Sequence, residues 1–146
     1  EVFSPYVKAD AQGAPIYQLP GRPGQLLPYL GYAPGAYLSR MVDLILKQSG
    51  TVIHLDRVYE TDMAEGLKVM AVEGHGIAFL PYSAVKKELR AHTLASALPP
   101  GFDGLQMTMD VRAYREKPGS RSGAKEDKSM AQALWVYLVA QNAAKE

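Results

Sequence analysis

Apolar positions recur along this chain at two spacings, and the alternation between them predicts most of its elements. Between Tyr59 and Pro81, Met63, Leu67, Met70 and Ala71 keep the rhythm of one helix face, and the apolar residues 77–80 that follow read as a buried strand. Asp62 followed by Glu65 suits the cap of that helix, while Gly74 and Gly76 stop it. Upstream, residues 27–32 read as a short strand. After Pro34 and Gly35 a helix carries Leu38, Met41, Val42, Ile45 and Leu46 on one face and ends at Gly50. Residues 51–59, with Val52, Ile53, Leu55 and Val58 among polar neighbours, predict a strand with one buried face.

The flanks are less regular. Val2, Phe3, Tyr6 and Val7 around Pro5 fit a short or edge strand, residues 10–13 supply a turn, and residues 19–28 hold too many prolines and glycines for anything but a loop. Beyond Pro81 the pattern predicts a helix over 83–90 and a brief strand near 93–98, after which Pro99, Pro100 and Gly101 break the chain. A strand over 106–115 places Met107, Met109, Val111 and Ala113 on one side. A solvated loop over 115–127 then leads to an amphipathic helix over 129–140, with Met130, Ala133, Leu134, Tyr137 and Leu138 in one stripe and Trp135 beside it. Strands alternating with helices in this way predict an open parallel or mixed sheet, covered on both faces through right-handed crossovers.

Composition narrows the class. A chain of 146 residues suits one domain, or one lobe with part of another, and 47% hydrophobic with 21% charged residues is ordinary for a globular protein. Sixteen Lys and Arg against 15 Asp and Glu leave a net charge of +1, which gives no electrostatic reason for direct contact with nucleic acid or an anionic membrane. The absence of cysteine excludes disulfides, zinc–thiolate sites and thiol catalysis, and is compatible with the cytoplasm. The first residues lack the basic start and apolar stretch of a secretion signal, and no stretch approaches the roughly 18 apolar residues of a membrane span.

Candidate chemistry concentrates in two turns where a strand hands over to a helix. The first is Tyr32, Ala33, Pro34, Gly35, Ala36 and Tyr37; the second is Tyr59, Glu60, Thr61, Asp62 and Met63. Free N–H groups at two helix starts suit a carboxylate or another small anion. Thr61 reads either as a ligand hydroxyl or as a helix cap, and Tyr32 and Tyr37 as a ring wall or as packing. Gly74-His75-Gly76 has neither phosphate-loop spacing nor a following Lys-Ser/Thr pair, so no nucleotide site or other cofactor is expected. His54, His75 and His92 are too scattered for a metal motif, and Ser39, Ser83, Ser96 and Ser129 lack a nucleophile elbow, so neither a metal nor a catalytic residue is assigned. Met63, in the first turn beside Thr61, is a candidate for oxidation.

The pieces 28–46, 59–81, 83–89 and 107–116 in this order, with a Gly-x-Gly-Ile-x-x-Leu-Pro strand at 74–81, resemble the effector-binding domain of LysR-type transcriptional regulators. Ala36 to Arg40 and Thr61 to Met63 look most like the hypochlorite-responsive members. The resemblance implies a periplasmic-binding-protein-like (type 2) α/β fold, an open mixed sheet with helices on both faces, here one complete lobe plus part of a second. Residues 1–18 would be a crossover strand and the start of a hinge, 19–98 the second lobe, and 99–146 the return strand and C-terminal helix of the first. It also implies a small-molecule effector between the lobes, with Tyr32, Ala33, Pro34, Gly35, Tyr37, Thr61 and Met63 on the second-lobe side. The expected assembly is a homodimer or tetramer in the cytoplasm, touching DNA only through an N-terminal helix-turn-helix that these residues do not include. A piece of a periplasmic-type solute-binding protein is the alternative.

Overall fold

The computed structural model describes residues 1–116 and 125–143. Its contacts divide into two units, Glu1–Asp110 and Val111–Glu146.

The first unit is organised by a six-stranded mixed sheet. In chain order its elements are β1 (Val2–Lys8), β2 (Leu27–Tyr32), α1 (Tyr37–Gln48), β3 (Leu55–Thr61), α2 (Ala64–Glu73), β4 (Ile77–Pro81), α3 (Tyr82–Arg90), β5 (Leu94–Ser96) and β6 (Met107–Thr108). The strands lie in the order β3-β2-β4-β1-β5, with β6 also on β1. β2 runs parallel to β3 and β4, whereas β1 is antiparallel to β4, β5 and β6. From β2 the chain steps outward to β3 through α1, then back across β2 to β4 through α2. Right-handed crossovers in opposite directions put α1 on one face of the sheet and α2 on the other. α3 shares the face of α2, packing against it.

The core follows from this placement. β4, central and covered on both sides, buries Ile77, Ala78, Phe79 and Leu80 completely, while Leu67 and Ala71 of α2 and Val42 and Ile45 of α1 close the two faces. Each fully buried Leu, Ile or Phe contributes roughly 1.5–3 kcal/mol. Phe3 bridges Tyr32 and Phe79, with ring centroids 6.3 and 6.2 Å away. Gly74 closes α2 in the left-handed region at φ 90°, its N–H bonding back to the Ala71 carbonyl at 3.0 Å. At Gly76 a Cβ would stand 2.6 Å from the Pro28 carbonyl oxygen, so glycine is what lets β4 enter the sheet beside β2.

Four expectations are corrected. β1 is an inner strand, not an edge. It tolerates Pro5 because the Pro5 carbonyl accepts from Ala97 at 3.0 Å, so the missing N–H faces the same side, between the residues paired with β5 and those paired with β6. β3 starts only at Leu55 and lies at the sheet edge, exposed from Asp56 through Glu60, with Val52 outside it and 73% exposed. Asp62 caps nothing: Met63 is the N-cap of α2 and no side chain caps it. The strand expected over 106–115 is two residues long, Met107–Thr108, paired with Phe3 and Val2 of β1, and Glu1 and Met109 exchange bonds at 2.9 and 2.7 Å beside it.

In the second unit, α4 (Lys125–Ala143) is longer than the predicted helix. Arg115 lies 4.7 Å over the Trp135 ring and hydrogen-bonds Gln132. Met130, Leu134, Tyr137 and Leu138 are exposed. Residues 117–124 of the predicted solvated loop lie outside the described residues. Among the described residues, no helix is long and apolar enough to cross a membrane.

Candidate functional site

Three parallel strands end at one edge of the sheet, β2 at Tyr32, β3 at Thr61 and β4 at Pro81, and each is followed within five residues by a helix. The chain leaves β2 towards one face and β3 towards the other. Neighbouring strands whose connections part in this way leave a crevice at their carboxyl ends, the usual place for a ligand in open α/β sheets.

The two turns at the crevice are bonded side by side. Tyr32 and Thr61 are the last pair of the β2–β3 register, and the Ala33 N–H donates to the Thr61 carbonyl at 2.9 Å. The Ala36 N–H then returns to the Ala33 carbonyl at 3.1 Å, turning the chain through Pro34 and Gly35 into α1. Neither α1, whose N-cap is Ala36, nor α2 has a side-chain cap. The N–H groups of a first helical turn have no partner within the helix and sit at its positive end. α3 differs: the Glu1 carboxylate accepts the Ser83 N–H at 2.9 Å. Burial works to raise the Glu1 carboxyl pKa, yet the Ser83 hydrogen bonds and Lys86 help to hold it below the ordinary value.

The structure treats the predicted residues unequally. Ala33 and Thr61 are half-buried at the base, and Pro34, Gly35, Tyr37 and Met63 are exposed around them. Thr61 Oγ1 accepts the Met63 N–H at a long 3.4 Å, leaving its hydroxyl hydrogen and part of its oxygen available. Tyr32 is corrected: its ring is no wall of the crevice but part of the core, 1% exposed. The β2–β4 ladder stops at Leu30 and Ala78, and one residue on, the Tyr32 hydroxyl donates to the Phe79 carbonyl at 3.0 Å. Burial drives the Tyr32 hydroxyl pKa well above the ordinary tyrosine value. Tyr32 therefore reaches the crevice only through its backbone.

One contact escaped the sequence reading, that of the Glu1 carboxylate on α3, which no local pattern announces. Ser39, in the first turn of α1, is 8% exposed and lies in line with Val42 on the buried stripe.

Two hollows lie elsewhere. One of about 510 Å³ separates α2 from α3, where Lys68 pairs with Glu65 and, at 3.4 Å, with Glu88. Another, of about 550 Å³, lies along the loop from Ile16 to Leu27. Neither includes a residue of the two turns. Among the described residues, no three His, Cys, Asp or Glu stand close enough together to hold a metal ion.

The chain is similar to known proteins. The transcriptional regulator YjiE of Escherichia coli K12 is 28% identical over 111 residues, covering 76% of this chain and 34% of its own length. The chain thus spans about a third of the length of the curated relatives it matches. DarR of Vibrio fischeri, solved in complex with DNA, is 27% identical with a TM-score of 0.62, covering 72% of this chain and 33% of DarR. Full-length HypT of Salmonella typhimurium, a hypochlorite-specific LysR-type regulator, has a TM-score of 0.67 at 23% identity, covering 98% of this chain and 44% of HypT, a likeness of fold. The family model described as LysR substrate binding domain matches residues 12–127, most of the chain. With that match and the periplasmic-binding-protein-like sheet described above, the chain belongs to the LysR substrate-binding domain family.

Proposed function

We propose that this chain is the effector-sensing part of a LysR-type DNA-binding transcriptional regulator, and that it takes a small anion at the crevice between β2 and β3. The observation that carries the reading is the parting of the chain at that point, which leaves two helix starts without side-chain caps beside each other in a member of this family. The backbone of Tyr32 to Gly35, the Thr61 hydroxyl and the exposed Tyr37 and Met63 form this side of the site. The exposed side chains supply apolar contact and the N–H groups the polar seat.

Binding shifts the balance between open and closed arrangements only by the difference in affinity for the two. That difference is passed to a homodimer or tetramer in the cytoplasm, and DNA is held by a helix-turn-helix that these 146 residues do not contain. No step of this scheme is catalytic. The hypochlorite grouping rests on the short pieces Ala36 to Arg40 and Thr61 to Met63. Oxidation of Met63, 62% exposed, is the change such a grouping would place here.

Thermal melts of wild type and Thr61→Ala with a panel of small carboxylates test the site. The expected result is a ligand-specific rise in Tm that is smaller in the variant, while the unliganded melts agree, because the Thr61 bond to Met63 is long. Wild type and variant responding alike to every compound would remove Thr61 from the site; no response from either would remove the site.

A further inference from the structure

The hollow of about 510 Å³ between α2 and α3 holds more negative charge than its own lysines match. Its walls carry three carboxylates, Glu65, Glu73 and Glu88, against two ammonium groups, Lys68 and Lys87. Lys68 serves two of the three, bonding Glu65 closely and Glu88 Oε1 at 3.4 Å. Glu88 Oε2 is buried and has no hydrogen-bond partner among the described residues. A carboxylate oxygen withheld from both water and protein donors is unfavourable, and a donor brought by a ligand relieves it. Glu73 adds to the field. It stands in the last turn of α2, at the negative end of the helix dipole, where no basic residue offsets it, and it makes no ion pair among the described residues. Val69, Val72 and Ala91 give the hollow an apolar side.

We propose that this hollow is a second ligand site, separate from the crevice, and that it takes a small organic cation with N–H donors, a primary ammonium or guanidinium on a short apolar stem. The stem lies along Val69 and Val72, and the charged head reaches Glu88. The last torsion of a glutamate is soft, and the contact of Oε1 with Lys68 is long for an ion pair, so the carboxylate can turn its free oxygen to the incoming N–H. A metal ion is the poorer occupant, because among the described residues no three carboxylates or histidines stand close enough together to coordinate one. An anion would meet the unmatched negative charge.

The test is an NMR titration of the full chain at pH 7 and fixed ionic strength with butylamine and butylguanidine, following the backbone amides of Val69, Val72 and Ala91. Tetramethylammonium is the cation without N–H, and butyrate the anion with a like stem. The expected result is that butylamine and butylguanidine move these amides saturably in wild type, several-fold more tightly than tetramethylammonium, while butyrate does not. Glu88→Gln binds them on the order of tenfold more weakly, the loss expected for one hydrogen bond to a charged group. Glu73→Gln, at an exposed position, keeps the wild-type Tm and binds about threefold more weakly, through the field alone. A folded Glu88→Gln that binds as tightly as wild type overturns the proposal. If Glu88→Gln does not fold, unchanged binding by Glu73→Gln overturns it instead. Tetramethylammonium binding as tightly as butylamine overturns the N–H assignment, and butyrate doing so overturns the assignment of a cation. Amides that answer to none of the probes overturn the site.

Discussion

Gly76→Ala should be among the most damaging single-methyl additions to this fold, and the structure says by how much. A Cβ at this position would lie 2.6 Å from the Pro28 carbonyl oxygen, 3.0 Å from its carbon and 3.2 Å from Leu30 Cγ. The nearest contact falls about 0.8 Å inside the 3.4 Å at which ordinary packing begins, and it is made by backbone, which cannot swing aside. Either β4 or the start of β2 must shift, and the Tyr29–Ile77 and Leu30–Ala78 pairs that join them lie immediately beyond. Overpacking of this kind costs about 2–3 kcal/mol, a large share of a domain's total of roughly 5–15 kcal/mol. For a unit the size of Glu1–Asp110 that corresponds to a fall in Tm of about 10 °C. Gly31→Ala is the control. Its Cβ would come 2.9 Å from Arg57 Nε, on a flexible side chain 43% exposed at the sheet edge, and 3.1 Å from Cε1 of the buried Tyr29, which must give by a few tenths of an ångström, so the expected loss is smaller, about 1 kcal/mol. Paired thermal and urea melts decide the matter. If Gly76→Ala melted within 2–3 °C of wild type, or no lower than Gly31→Ala, the claim that backbone approach dictates glycine here would be wrong.

Other consequences are as direct. Tyr32→Phe removes the donor to the buried Phe79 carbonyl and should cost about 1–3 kcal/mol in urea melts, with the carboxylate response retained. Burial pushes the Tyr29 hydroxyl from 10 up to about 12. The neutral phenol is thus favoured by folding, so stability is whole below pH 10 and falls as pH rises towards 12; Tyr29→Phe should flatten that decline in melts taken across this range. Lys68, held charged by the Glu65 hydrogen bond first and by Glu88, joins α2 to α3 with its side chain only 15% exposed. Lys68→Met should lower stability by about 1 kcal/mol, less so at high salt, in denaturant titrations at two ionic strengths.

What could be read in advance divides along a physical line. α1, α2 and β4 were legible because their burial depends on their own periodicity: Leu67 and Ala71 share a face in any fold that buries α2. β1, β3 and β6 were misread because a strand's character depends on its neighbours. The same Val2-to-Lys8 pattern serves an edge or an interior, and only the sheet order places it between β4 and β5. β3 shows the converse, Val58 and Tyr59 sitting on an edge that leaves them 52% and 37% exposed.

The candidate site follows the same division. The turns themselves were visible, since Pro34, Gly35 and Thr61 mark handovers from strand to helix. Which side chains face the crevice was not visible, because that depends on how far each ladder runs. Tyr32 and Tyr37 are alike in type and only five residues apart, yet one is 1% and the other 62% exposed. Tyr32 alternates with Leu30 on a strand flanked by two others, and the β2–β4 ladder ends early enough to leave the Phe79 carbonyl needing its hydroxyl. Tyr37 is one residue past the turn, where no strand covers it. For a crevice at a sheet edge, the polar atoms that matter are therefore those the ladders fail to satisfy. In this chain the Phe79 carbonyl is supplied by Tyr32 and the Ser83 N–H by Glu1. The helix starts of α1 and α2 have no side-chain cap, and on that difference rests the proposal of a ligand at β2 and β3 rather than at β4.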